Sequence, residues 1–193
     1  MTTLRPKYTM YYHSVNRRLF LKLCAMATAT ALTPAPVFGA IERLFQPERN
    51  LSFFNTHTGE SLVSCYYRSG RYRRSALKDI NYILRDHRTG GIRAIETHLL
   101  DILHALSIEL KTDTPFHVIS GYRSAKSNAI LRRKSKKVAS GSLHMKGKAV
   151  DIRLPGCSTA KLRNTALKLR AGGVGYYRRL DFIHIDTGRV RYW

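Results

Sequence analysis

Two stretches carry most of the residues able to do metal chemistry: Ser142-Leu-His144-Met-Lys-Gly147-Lys-Ala149-Val-Asp151 and, further along, Asp181-Phe-Ile-His184-Ile-Asp186. Together they offer two imidazoles and several carboxylates. A catalytic zinc ion uses such proportions, taking three protein ligands from His and Asp or Glu and keeping a fourth position for water. A single His followed by an Asp arises often by chance. The second cluster, with its His-x-Asp after an apolar strand start, is what strengthens the case.

The elements that must position these groups are short. Lys148 to Leu154 reads as a strand, with Ala149, Asp151 and Arg153 facing one way and Val150, Ile152 and Leu154 the other. Gly147 lets the chain bend just before it, so that the His144 imidazole can swing back over Asp151. Phe182 to Asp186 reads as a second strand whose Ile183 and Ile185 point into the core. Strict alternation puts Asp181 on the face opposite His184 unless it lies in the preceding turn. Asp186 shares the face of His184, with Cα atoms about 6.6–6.8 Å apart at strand spacing.

The rest of the chain reads as a mixture of helices and strands. Leu51–Asn55 and Ser61–Tyr67 form a hairpin around His57, a turn histidine outside the site. Apolar stripes predict helices over 73–85 and 92–110, the first closed by Gly90-Gly91. His98 and His104 on the second lack carboxylate neighbours at ligand spacing. Pro115–Ile119 reads as a strand leading into Ser120-Gly-Tyr-Arg123-Ser124, where Ser124 caps a helix to about Arg133. A helix from Ser158 to Arg170 and a strand from Val174 to Tyr177 complete the expectation.

The chain has 193 residues, enough for one domain with a real core. Its formal net charge is +22, which favours polyanionic partners without choosing between nucleic acid, an anionic membrane and an anionic cell wall. The densest basic run, Arg132-Arg-Lys-Ser-Lys-Lys137, has no nucleic-acid-binding motif beside it and leads into the approach to His144. It reads as a loop at the rim of a cleft. Cys65 and Cys157 read as two unpaired thiols, and the lack of Cys-x-x-Cys excludes a thiolate zinc finger.

Residues 1–40 read as a leader and 41–193 as the catalytic domain. Asn16-Arg17-Arg18-Leu19-Phe20-Leu21-Lys22 looks like a twin-arginine export signal, and Pro34-Ala-Pro-Val-Phe-Gly39-Ala40 offers a small-residue cleavage site. The apolar stretch from Leu23 to Leu32 is too short to span a bilayer, and Cys24 lacks the small residues that precede a lipid-attachment cysteine. No stable membrane anchor is expected. Losing the leader removes Arg5, Lys7, Arg17, Arg18 and Lys22 and no acid, so the domain itself is basic.

Ser-x-His-x-x-Gly-x-Ala-x-Asp, with Ser120-Gly-Tyr-Arg123-Ser before it and Asp-x-x-His after it, resembles the zinc D-alanyl-D-alanine carboxypeptidase and endopeptidase group. His57-Thr-Gly-Glu60, Ala171-Gly-Gly-Val-Gly-Tyr-Tyr177 and His184-Ile-Asp-Thr-Gly-Arg-Val-Arg-Tyr-Trp193 are similar to its murein endopeptidase K branch. The resemblance implies an α+β, hedgehog/DD-peptidase-like fold, with a small antiparallel sheet packed against helices. It further implies Zn2+ held by His144, Asp151 and His184, and Arg123 stabilising the oxyanion or holding a substrate carboxylate. The proton-transfer role maps to Asp181, three residues before the second ligand histidine, with Asp186 as the competing base or as a partner orienting an imidazole. The expected substrate is peptidoglycan, cut at peptide crosslinks of the L,D type between diaminopimelate residues, in the periplasm during cell-wall remodelling. A catalytically weak, zinc-containing wall-binding domain is the main alternative. A nucleic-acid-binding protein is the other, and the export leader argues against it.

Overall fold

Alternating apolar residues in short runs, separated by Gly- and Ser-containing turns, produce a single sheet with helices against it. The computed structural model describes residues 48–135 and 138–193. The expected leader, the start of the expected catalytic domain, and Lys136 and Lys137 lie outside the described residues.

In chain order the elements are β1 (Arg49–Asn55), β2 (Ser61–Arg68), β3 (Arg71–Tyr72), α1 (Arg74–Ile83), α2 (Thr97–Leu110), β4 (Phe116–Ser120) and α3 (Ala125–Lys134). A 3-10 turn (Leu143–Lys146) follows, then β5 (Ala149–Arg153), α4 (Thr159–Leu169), β6 (Gly173–Tyr177), a second 3-10 turn (Arg178–Leu180), β7 (Phe182–Asp186) and β8 (Arg191–Tyr192). The strands form one 8-stranded sheet in the order β3-β2-β1-β4-β5-β7-β6-β8. The α+β class is as expected, but the sheet is neither small nor purely antiparallel. β1 pairs with β4 in parallel, and so does β6 with β8, while the other ladders are antiparallel. Parallel neighbours need a crossover, and α1 and α2 supply one between β2 and β4.

The back of the site strands is the core. Val150, Ile152, Ile183, Ile185 and Val174 are all buried there with Leu162 of α4 and Leu99 and Leu103 of α2. Each such side chain contributes about 1.5–3 kcal/mol of transfer free energy. That anchoring lets the opposite face carry polar groups without the strands losing register.

One helix starts later than its apolar stripe suggests. Residues 92–96 are irregular and α2 begins at Thr97. The backbone before it is spent on tertiary bonds: Ile95 N–H donates to Asn81 Oδ1 at 2.8 Å and Glu96 N–H to Gly147 O at 2.9 Å. The expected cap holds at α3, where the Ser124 hydroxyl accepts from Ser127 N–H, and at α4 the Ser158 hydroxyl accepts likewise from Lys161 N–H. Cys65 and Cys157 are free thiols. Among the described residues no helix is long and apolar enough to cross a membrane.

Candidate metal centre

Register across three neighbouring strands builds the site. On β5, β7 and β6, Asp151, His184 and Gly175 stand in one row, with Ala149, Asp186 and Gly173 in the next. His144 comes from the 3-10 turn before β5. Gly147 ends that turn at φ +68°, and a Cβ there would lie 2.2 Å from Ala94 O, so the position demands glycine on two counts. The bend returns His144 over the strand that follows it.

Three ligand atoms converge. His144 Nε2 lies 3.1 Å from His184 Nδ1 and 3.2 Å from Asp151 Oδ1, and His184 Nδ1 lies 2.8 Å from Asp151 Oδ1. His144, Asp151 and His184 are all buried. The far nitrogen of each ring is engaged: His144 Nδ1 donates to Gly121 O at 2.8 Å and His184 Nε2 to Asp186 Oδ2 at 3.0 Å. Each neutral ring therefore turns a lone pair inward, beside a carboxylate oxygen. Three acceptors in mutual contact require a cation between them. A tetrahedral zinc ion with bonds of about 2.0–2.1 Å places neighbouring ligands about 3.3 Å apart, close to this triangle. The donor set fits.

The protonation states agree. Burial disfavours a charged His184, but hydrogen bonds to Asp151 and Asp186 outweigh it and raise its pKa to about 9. Burial alone would raise Asp151 too, yet the two imidazoles hold it well below the usual carboxylate range. In the metal-free chain a proton on His184 stands in for the cation.

Arg123 follows the end of β4 and is only 8% exposed. Its Nη2 is 3.5 Å from Asp151 Oδ2 and 3.2 Å from Ser120 Oγ, and Nη1 is 3.5 Å from Asn128 Oδ1. Its Nε is buried with no partner. The turn that carries it is tied down by Arg123 N–H to His144 O at 3.2 Å and by Ser124 N–H to Asp86 Oδ2 at 2.9 Å. Asp86 is buried, and the hydrogen bonds from Ser124 and Arg88 hold its carboxyl low against that burial.

The structure separates the two candidate bases. Asp186 sits behind the His184 ring, on the side away from the three ligand atoms. Its side chain is fully enclosed, accepting from Arg191 at 2.9 and 2.6 Å and from Gly173 and Gly188 N–H. Asp181 is in the second 3-10 turn's cap at φ +52°, exposed, and accepts a hydrogen bond from the Thr159 hydroxyl at the start of α4. Leu180 and Phe182 on either side of it line the cleft.

That cleft has a volume of about 560 Å³, with His144, Asp151, His184 and Arg123 among the residues along it. The basic run is part helix, with Arg132 to Lys134 closing α3, and Leu131 before it, Ser135 within it and Val138 and Ala139 beyond it form part of the cleft rim. His57 is elsewhere, stacked on His87 with ring centroids 3.7 Å apart. His98 is exposed and His104 bonds Asn50 O, both outside the site.

Arg191, Trp193, Asp86 and Tyr177 also shape the site and were not identified as site residues from the sequence. The available signal was Gly173-x-Gly175-x-Tyr177, a strand whose site-facing positions lack side chains until Tyr177. A Cβ at Gly173 would come within 2.3 Å of Arg191 Nη1, and one at Gly175 within 2.6 Å of the Trp193 ring. Glycine inside a strand commonly marks such a close approach.

Residues 44–193 match the family described as Peptidoglycan L,D-endopeptidase MepK. The chain is 40% identical over 178 residues to the peptidoglycan L,D-endopeptidase MepK of Escherichia coli strain K12, an alignment covering 92% of this chain and 97% of that protein. It is 37% identical over 185 residues to the probable peptidoglycan L,D-endopeptidase MepK of Haemophilus influenzae, covering 95% and 98%. No solved structure matches the chain significantly.

Proposed function

The chain belongs to the peptidoglycan L,D-endopeptidase MepK family, and on that premise we propose that it is a zinc-dependent peptidase that hydrolyses L,D-type peptide crosslinks of peptidoglycan. The observation that carries the metal assignment is the convergence of His144 Nε2, Asp151 Oδ1 and His184 Nδ1 within 3.2 Å of one another at the side of an open cleft. Two nitrogens and one carboxylate oxygen suit zinc. When bound, the ion supplies Lewis acidity and lowers the pKa of water toward neutrality.

The remaining work falls to side chains. Arg123, buried and already beside Asp151, offers a charge-assisted donor to the scissile carbonyl oxygen as it gains negative charge. Asp186 holds His184 in the tautomer that leaves Nδ1 free, with Arg191 fixing the carboxylate in turn. Proton transfer to the leaving amine is assigned to Asp181. It is the exposed carboxylate of the two, it accepts from the Thr159 hydroxyl, and it lies between Leu180 and Phe182, which line the cleft. The strongly basic composition suits an anionic, carboxylate-rich wall. The α+β body supports a hedgehog/DD-peptidase type of fold, and the Arg17-Arg18 leader supports export to the periplasm by the twin-arginine route, with residues 41–193 as the mature domain.

The decisive experiment digests intact sacculi with purified chain of measured zinc content, with and without a chelator, and identifies products by mass. Chelator-sensitive loss of diaminopimelate-crosslinked dimers is expected. Stoichiometric zinc without product change would overturn the peptidase reading in favour of a wall-binding domain, and a chain that takes up no zinc would overturn the ligand set.

A further inference from the structure

The end of β6 and the residue after β8 meet over the metal centre. β8 runs parallel to β6 with Arg191 opposite Gly173, so Arg191 and Trp193 both lie over the glycine positions of the site face. The Trp193 ring packs on His184, with centroids 5.3 Å apart, and Arg191 Cζ sits 5.0 Å from the Trp193 ring. Trp193 Nε1–H donates to the Tyr177 hydroxyl at 3.2 Å. Tyr177 is in turn steadied by stacking on Phe182, with centroids 4.5 Å apart and planes 16° from parallel.

This hydrogen bond has a direction. An indole N–H only donates, so it occupies a lone pair of the phenol oxygen and leaves the phenol O–H free. Among the described residues that hydroxyl has no acceptor, and Tyr177 lines the same cleft as His184, Asp151 and Arg123. The strand order β4-β5-β7-β6 puts Arg123, just past β4, on one flank of the ligand row and Tyr177, at the end of β6, on the other.

We infer that Tyr177 is a catalytic residue of this site, its O–H donating a hydrogen bond to the scissile carbonyl oxygen as that oxygen becomes an oxyanion, with Trp193 as the positioning residue that aims it. No proton leaves the phenol. The bond strengthens as charge develops and relaxes when the amide is cleaved. This inference rests on the peptidase reading above, and its test has an arm independent of turnover.

Trp193 is the single tryptophan of the chain, so its emission reports on the site. The full chain, zinc-loaded, is titrated with a phosphinate dipeptide, whose tetrahedral anion mimics the developing oxyanion, and is also assayed on crosslinked muropeptide dimers. Tyr177→Phe is expected to lower kcat by about 10²-fold, as for loss of one oxyanion donor, and to weaken phosphinate binding at least tenfold. KM and zinc stoichiometry should stay unchanged. Trp193→Phe should lower kcat less, and the double variant should be no worse than Tyr177→Phe alone, since both act through one hydroxyl. Tyr177→Phe with kcat and phosphinate affinity within threefold of the parent overturns the inference, as does an effect confined to KM. A parent chain that cuts no dimer, while Tyr177→Phe still weakens phosphinate binding, overturns the assigned reaction and supports the donor. A parent that cuts dimers with Tyr177→Phe unaffected does the reverse.

Discussion

His184 and Asp186 stand two residues apart on β7 and meet edge-on, Nε2 to Oδ2 at 3.0 Å, while the opposite nitrogen of the same ring faces Asp151 at 2.8 Å. Both Asp186 oxygens are also taken by Arg191. So held, the carboxylate is expected to set the tautomer of His184. Asp186→Asn should weaken zinc binding about 10–100-fold, the usual cost of losing such a partner, and chelator competition measures it. Unchanged zinc affinity would contradict the orienting role.

Proton competition at His184 gives a pH dependence with a definite sign. Its pKa in the metal-free chain is raised to about 9, against about 6.5 for an unperturbed imidazole. Zinc must displace that proton, so affinity should climb about tenfold per pH unit up to about pH 9 and then level off. The same shift stabilises the metal-free fold fully below about pH 6.5, and that contribution is lost as pH rises through about 9. Thermal scans of the chelated protein across this window should show Tm falling, with the zinc-loaded protein nearly flat.

Arg123 holds a charge beside Asp151 at 10% side-chain exposure, with burial pulling its pKa down. Arg123→Lys keeps the charge but loses the planar fork. A fall in kcat on the order of 10²–10³, with zinc stoichiometry retained, is expected. A change in KM alone would mark Arg123 as a substrate-carboxylate clamp instead.

Asp181 and Asp186 separate in a paired experiment. Asp181→Asn should keep full zinc content and lose about 10²–10⁴ in kcat, as for removal of a general acid–base group. Near-parental turnover in Asp181→Asn would remove it from the reaction and leave the proton to another group.

Gly147→Ala tests the bend that returns His144. The left-handed backbone alone costs a residue with a Cβ about 1–2 kcal/mol, and the added carbon would meet Ala94 O. Lower Tm together with weaker zinc binding is expected, because Glu96 N–H bonds to Gly147 O and ties this turn to the start of α2.

What could be read from the sequence was local and periodic. Two-residue alternation in 149–153 and 182–186 determined the strands and the face each side chain takes. The residue types at His144, Asp151 and His184 pointed to a metal, and the cap at Ser124 announced its helix. Tertiary structure decided the rest. Alternation says which face a residue occupies but not which strand lies beside it, so the parallel β1–β4 and β6–β8 pairings and the extent of the sheet were not legible. The α2 stripe overran its true start because Asn81 and Gly147 compete for the backbone of Ile95 and Glu96. The positions of Asp181 and Asp186 depended on partners distant in the chain or across a turn, Thr159 for one and Arg191 for the other. Arg191 and Trp193 enter the site only because β8 docks beside a strand that has glycine where side chains would otherwise stand. Such choices are made by contacts between segments, which no single segment's composition contains.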